Sequence, residues 1–273
     1  MKRLALAAAA LMLGGAPSAS ESVTFPGEGT TLQAVLYRPA GEGRFPAIVA
    51  LHGCAGLFDR GGAITPRHAD WGERLAKQGF IVLMPDSFGS RGARSQCRTS
   101  DRVTRPSRER VADAIAAKAY LQGRADVKPA AVSLLGWSNG GSTVLYAVDP
   151  RRRPQDGKPD FAKAVAFYPG CATPAESGRW QTRLPLLVLI GAADDWTPAK
   201  PCSELVDAAR NSGAPADIVL YPGAYHDFDH PNLPVRTHNG LVYTGNGRGV
   251  AHTGTDPAAR ADALLRVPAF LAR

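Results

Sequence analysis

The chain has 273 residues, 44% of them hydrophobic, and its 32 basic and 24 acidic side chains give a formal net charge of +8. That length supports one sizeable core in an ordinary α/β domain, and no internal apolar run reaches the roughly 20 residues a membrane span needs. Nucleic acid is a poor partner for the positive charge. The basic side chains crowd between residues 91 and 110 (Arg91, Arg94, Arg98, Arg102, Arg105, Arg108, Arg110) with no interleaved aromatics and no binding motif. Such a run makes a solvated face and can attract anions.

The first twenty residues, MKRLALAAAALMLGGAPSAS, carry Lys2 and Arg3, an apolar stretch and then small residues. This is the pattern of a secretory signal peptide over residues 1–20, cleaved near Ala16 or Ser20, with residues 21–273 as the mature domain. No cysteine follows the apolar stretch, which argues against a lipid anchor there. The expected destination is the periplasm or the exterior.

After residue 20 strand-like and helix-like segments alternate. SVTF and TLQAVLYRP read as strands joined by the turn PGEGT, and FPAIVALHG as a buried strand. RHADWGERLAKQG is an amphipathic helix stopped by Gly79. GFIVLMPD is the next buried strand, and SRERVADAIAAKAYLQG a helix with Ser107 as N-cap. AAVSLLG is a strand with the helix SNGGSTVLYAV behind it. AKAVAFYPG, LPLLVLIGAAD and ADIVLYPGAYH are further strands, with helices CSELVDAARNSG and PAARADALLRVPAFLA between and after them. Two leading strands followed by repeated β-α units predict a mostly parallel central sheet of about eight strands with helices on both faces. Ligands then bind beyond the carboxyl ends of the strands. Residues 229–255 show no periodicity and are rich in Gly, Asn and Pro, so they read as a long loop walling the pocket.

The four cysteines, Cys54, Cys97, Cys171 and Cys202, are even in number in a chain expected to be exported, which suggests disulfides in one of three pairings. Cys54–Cys97 and Cys171–Cys202 are the expected pairs, because each joins the ends of successive, neighbouring strands. No C-x-x-C spacing points to zinc.

The chemistry centres on GWSNG, residues 136–140, a G-x-S-x-G pattern between a strand and a helix. In that setting Ser138 sits on a nucleophile elbow, flanked by Gly136 and Gly140. The bland alternative is a small residue in a glycine-rich turn. A serine hydroxyl needs a base, and the order Ser, acid, His predicts one after a late strand. Of the six histidines only His226 has that place; His52, His68, His230, His238 and His252 do not. The acid is Asp194 or its neighbour Asp195, with Asp194 favoured by its position between Gly191 and Pro198. HDFDH also resembles a ligand cluster, but Pro231 and Pro234 oppose the helix that would align His226 with His230, so no metal is expected. The oxyanion donors are expected to be the backbone N–H groups of Asn139 and Cys54. Arg91 and Trp137 are candidate substrate contacts, Arg91 through a bidentate grip on a carboxylate.

LHGCAG, MPDSFGSRG, GWSNGG, GAADDWTP and AYHDF together resemble the dienelactone hydrolase family of α/β-hydrolases, from about residue 22 to the C-terminus. The resemblance implies a nucleophile at Ser138, acid at Asp194 and base at His226. Family members that cleave dienelactones typically carry Cys where this chain has Ser138, so a serine esterase or lactonase is expected, without a cofactor, acting on a small-molecule substrate as a monomer or weak dimer. Serine peptidases, polyester hydrolases of the cutinase type and non-catalytic exported binding proteins are the rival readings.

Overall fold

The computed structural model describes residues 20–273; the expected signal peptide, apart from Ser20, lies outside the described residues. Strand β1 (Ser20–Gly27) pairs antiparallel with β2 (Thr30–Tyr37), which pairs antiparallel with β4 (Ile81–Pro85). From β4 onward β3 (Phe45–Leu51), β5 (Val127–Trp137), β6 (Ala164–Phe167), β7 (Leu186–Gly191) and β8 (Ala216–Tyr221) run parallel. The sheet has eight strands in the order β1-β2-β4-β3-β5-β6-β7-β8. All residues of β4, β6 and β7 are buried, as expected of strands with both faces covered.

The covering helices are α1 (Pro66–Lys77), α2 (Glu109–Gln122), α3 (Asn139–Ala147), α5 (Ala199–Asn211) and α6 (Pro257–Ala272), with a short α4 (Ala172–Glu176). α1 buries His68, Trp71, Leu75 and Ala76 and ends where expected, at Gly79 with φ 91°. An ion pair between Arg260 on α6 and Asp70 on α1, at 2.7 Å, ties the first helix to the last. Among the described residues no helix is long and apolar enough to cross a membrane.

Two local expectations are corrected. Ser107 does not cap α2. The N-cap is Arg108, which makes no side-chain cap, and Glu109 reaches back to accept from the Arg105 N–H at 2.8 Å. The same carboxylate grips the Arg105 guanidinium and so holds the turn that leads into the helix. The stretch 229–255 is not loop throughout. It holds an antiparallel ribbon of β9 (Arg236–His238) and β10 (Ala251–Thr253), too short to leave a period in the sequence. The five-residue helix α4 gave no signal either.

Cys54 is bonded to Cys97 across a separation of 43 residues, and Cys171 to Cys202 across 31. These are the two expected pairs, with Cα–Cα distances of 4.9 and 5.0 Å. Two disulfides fit an oxidising environment.

Candidate active site

Ser138 stands at the turn between β5 and α3 with φ 52° and ψ −113°, a strained conformation for a residue with a side chain. The glycines around it are required by close approach. A Cβ on Gly136 would lie 2.3 Å from the Gly140 carbonyl oxygen, and one on Gly140 would lie 2.1 Å from that of Leu51. A Cβ on Gly141 would meet the Phe167 carbonyl oxygen at 2.6 Å. α3 is thereby pulled onto β3 and β6, and Ser138 is lifted over the strand ends.

His226 follows β8, and its Nε2 lies 2.9 Å from Ser138 Oγ. Its Nδ1 donates to Asp194 Oδ2 at 2.7 Å. Asp194 is held in turn by the Trp196 and Thr197 N–H groups, at 2.9 and 2.8 Å on Oδ1. The two neighbouring carboxylates have different partners. Asp195 instead accepts from the His252 N–H at 2.8 Å and lies 2.7 Å from His252 Nδ1, anchoring β10. β10 also bridges to His226 through Gly254 N–H and the His226 carbonyl, 3.0 Å apart.

Burial alone lowers the pKa of His226; the charge and hydrogen bond of Asp194 outweigh it, so the net shift is upward from the ordinary 6.5. A general base works only when neutral. The kcat/KM of an ester is therefore expected to rise with pH through a midpoint above 6.5, and an ascending limb centred below that value would remove His226 from the role of base.

The HDFDH stretch distributes its side chains over separate partners rather than gathering them. Arg67 on α1 donates to Asp227 Oδ1 and, at 2.9 Å, to Tyr168 Oη. Asp229 accepts from Trp71 Nε1 at 2.7 Å, Trp137 Nε1 at 2.8 Å and Tyr168 Oη at 2.6 Å. This fully buried carboxylate thus ties the residue before Ser138 to the segment after His226. Sequence reasoning missed Arg67 and Tyr168, and weighed Asp227 and Asp229 only as metal ligands within HDFDH. Asp229→Ala leaves two indole N–H groups and a phenol without their acceptor, and is expected to lower stability by about 3 kcal/mol or more. A urea unfolding midpoint that did not move would contradict this.

Two expected substrate contacts are corrected. Trp137 is fully buried, bonded to Asp229 and stacked on Phe167 at 5.8 Å, so it supports the elbow from below. Arg91 grips buried Asp113 bidentately at 2.8 and 2.9 Å and donates to the Ser87 carbonyl at 2.9 Å. Its fork is occupied, and it clamps the segment after β4 to α2. Arg94, Arg98, Arg105 and Arg108 of the basic run are solvated, but Arg110 is fully buried.

At the proposed oxyanion position, neither the Cys54 nor the Asn139 N–H has a protein acceptor among the described residues. The Cys54 segment is fixed by its disulfide and by the Gln96 N–H, which donates to the Cys54 carbonyl at 2.7 Å. Buried His52 braces it further, with Nδ1 2.8 Å from the Gly53 carbonyl and Nε2 accepting from the Ser87 N–H at 3.2 Å. Burial, then the charge of Arg110, pushes the His52 pKa well below its ordinary value, so this ring is neutral. A cleft of about 580 Å³ opens alongside, lined by Arg102, Ser142, Gly170, Trp196, Thr197 and Tyr243. Trp196 also packs on the His226 ring, 4.9 Å between centroids. Tyr243 comes from the stretch expected to wall the pocket.

A strained serine against a buried histidine, on a mostly parallel eight-stranded sheet, defines a hydrolase of the α/β-hydrolase fold. The model of the dienelactone hydrolase family matches residues 32–273, and the chain belongs to that family. A relative from Methylorubrum extorquens with the provisional name carboxymethylenebutenolidase is 27% identical over 222 residues, covering 76% of this chain and 71% of its own. Among solved structures, a provisionally named dienelactone hydrolase from Klebsiella pneumoniae superposes with a TM-score of 0.69 at 20% identity, over 93% of this chain and 98% of the other. Thermogutta terrifontis esterase 2 superposes with a TM-score of 0.67 at 20% identity, over 96% and 97%.

Proposed function

We propose that the chain hydrolyses carboxylic esters or lactones through an acyl-enzyme on Ser138. The observation that carries this is the hydrogen-bonded series Ser138–His226–Asp194, built on a backbone strained at the serine. His226 Nε2 takes the hydroxyl proton as Ser138 Oγ bonds to the carbonyl carbon, and the carbonyl π pair moves onto oxygen. Asp194 holds the Nδ1–H tautomer and stabilises the imidazolium. The N–H groups of Asn139 and Cys54 receive the oxyanion, each worth roughly 3 kcal/mol in the transition state. The C–O bond to the leaving group then breaks with the proton returned from His226, and water repeats the sequence on the acyl-enzyme.

The relative's provisional name fits the lactone side of this reading, since a butenolide is an unsaturated lactone. The two disulfides support action in an oxidising compartment outside the cytoplasm. A fluorophosphonate is expected to label the protein once, at Ser138, and p-nitrophenyl esters or lactones are expected to be turned over in preference to peptides. Absence of labelling at Ser138 would leave a binding protein, and preferential peptide cleavage a peptidase.

A further inference from the structure

Two arginines are buried near the elbow, and only one has a counter-ion. Arg67 is neutralised by Asp227. Arg110, on α2, is fully buried and forms no ion pair among the described residues. The nearest candidates are engaged elsewhere. Asp113 is held bidentately by Arg91, and Asp86 Oδ1 accepts from the Phe88 and Gly89 N–H groups at 3.3 and 3.0 Å. Among the described residues the one side-chain hydrogen bond of Arg110 runs from Nη1 to Asn139 Oδ1, at 2.5 Å, while Nε and Nη2 have no protein acceptor. The guanidinium also lies over the Phe88 ring, 5.1 Å from its centroid. A buried cation without a partner is costly, so its place beside the residue that follows the nucleophile calls for an explanation.

Guanidinium can only donate, so the Asn139 amide must turn Oδ1 toward it. Asn139 Nδ2 then faces away, buried and without a protein acceptor. A chain of cation, amide oxygen and amide N–H is polarised along its length, which strengthens the terminal donor. The anion that forms next to Asn139 is the one produced when Ser138 attacks a carbonyl.

We propose that Arg110 is a positioning residue that acts through Asn139 to stabilise this oxyanion. The inference rests on the Ser138 acyl-enzyme reading and deepens it. The backbone N–H of Asn139 is the donor, and the Arg110 hydrogen bond to Asn139 Oδ1 fixes and polarises the residue that carries it. Burial pushes the Arg110 pKa down to about 9, the carboxylates of Asp113 and Asp86 opposing a larger fall, so the group remains a cation at neutral pH. The neutral His52 contributes no competing charge.

The test uses a neutral p-nitrophenyl ester and phenylboronic acid, which forms a tetrahedral anionic adduct on an active serine. Arg110→Met is expected to lower kcat by about 30- to 100-fold, below the loss from removing a direct oxyanion donor, with KM within about threefold. Affinity for phenylboronic acid is expected to fall by a similar factor, and Arg110→Lys to recover about tenfold of each. Asn139→Asp supplies the missing counter-ion. It is expected to raise the melting temperature yet lower kcat by about 100-fold, because a negative charge then sits on the residue whose N–H receives the developing oxyanion. A purely structural role would leave kcat intact in that stabilised variant. Wild-type kcat in Asn139→Asp overturns the proposal, and it does so even if Arg110→Met fails to fold. Wild-type activity in Ser138→Ala would instead overturn the acyl-enzyme reading itself, so the two failures are distinguishable.

Discussion

Replacing Ser138 with alanine is expected to lower kcat/KM for a p-nitrophenyl ester by about 10⁴- to 10⁶-fold and to abolish fluorophosphonate labelling. The variant should fold normally, because among the described residues the hydroxyl bonds only to His226 and Ser138 is nearly but not wholly buried. His226→Ala should fall to the same residual rate, and the double variant no further, since residues acting as one unit lose their effect together. The residual rate would report what the Asn139 and Cys54 donors still do for a bound substrate attacked by water. Near-wild-type turnover in Ser138→Ala would show that the strained serine is not the nucleophile.

Removing the Cys54–Cys97 bridge with a Cys54→Ser/Cys97→Ser double variant is expected to cost about 4 kcal/mol of stability, from the unfolded-state entropy of a 43-residue loop. For a chain of this size that corresponds to roughly 10 °C in melting temperature. A second effect is expected because Cys54 supplies a proposed oxyanion N–H. Loosening its segment should lower kcat more than KM rises, while the analogous Cys171→Ser/Cys202→Ser variant, acting at the start of α4 and α5, should chiefly lose stability. Unchanged denaturation midpoints with and without a thiol reductant would contradict the structural weight given to the bridges.

The candidate site was readable at its centre because its signals are local. Ser138 lies between two glycines at a strand end, Asp194 follows Gly191 at the next but one, and His226 follows the last strand of the sheet. Each depends on a few adjacent residues and on chain order, and both survive in the one-dimensional record. The parallel sheet was readable for the same reason, through short apolar runs ended by glycine or proline. The misplacements have a different origin. Arg91 and Trp137 were correctly set near strand ends, yet the sequence did not show that Asp113, 22 residues on, and Asp229, 92 residues on, would claim them. Ser107 was a sound cap by residue type, but the helix starts one residue later, behind a turn that Glu109 holds through Arg105. Ribbon β9–β10 escaped notice because three-residue strands have no measurable period.

Composition, periodicity and motif order were therefore sufficient for the architecture and for the order of serine, aspartate and histidine; the cysteines pair as expected, although Cys202 lies within α5 and Cys97 well past β4 rather than at strand ends. Partner choice among charged groups was not readable in this way, because it depends on which side chains are brought together out of water. Arg67 and Asp227 are 160 residues apart and meet only because α1 and the end of β8 converge beneath the elbow. In a run of seven arginines the sequence offers no means of telling Arg110 from its solvated neighbours. Packing of α2 against α3 buries that one guanidinium beside Asn139, where low-dielectric surroundings make its charge felt more strongly than at the surface.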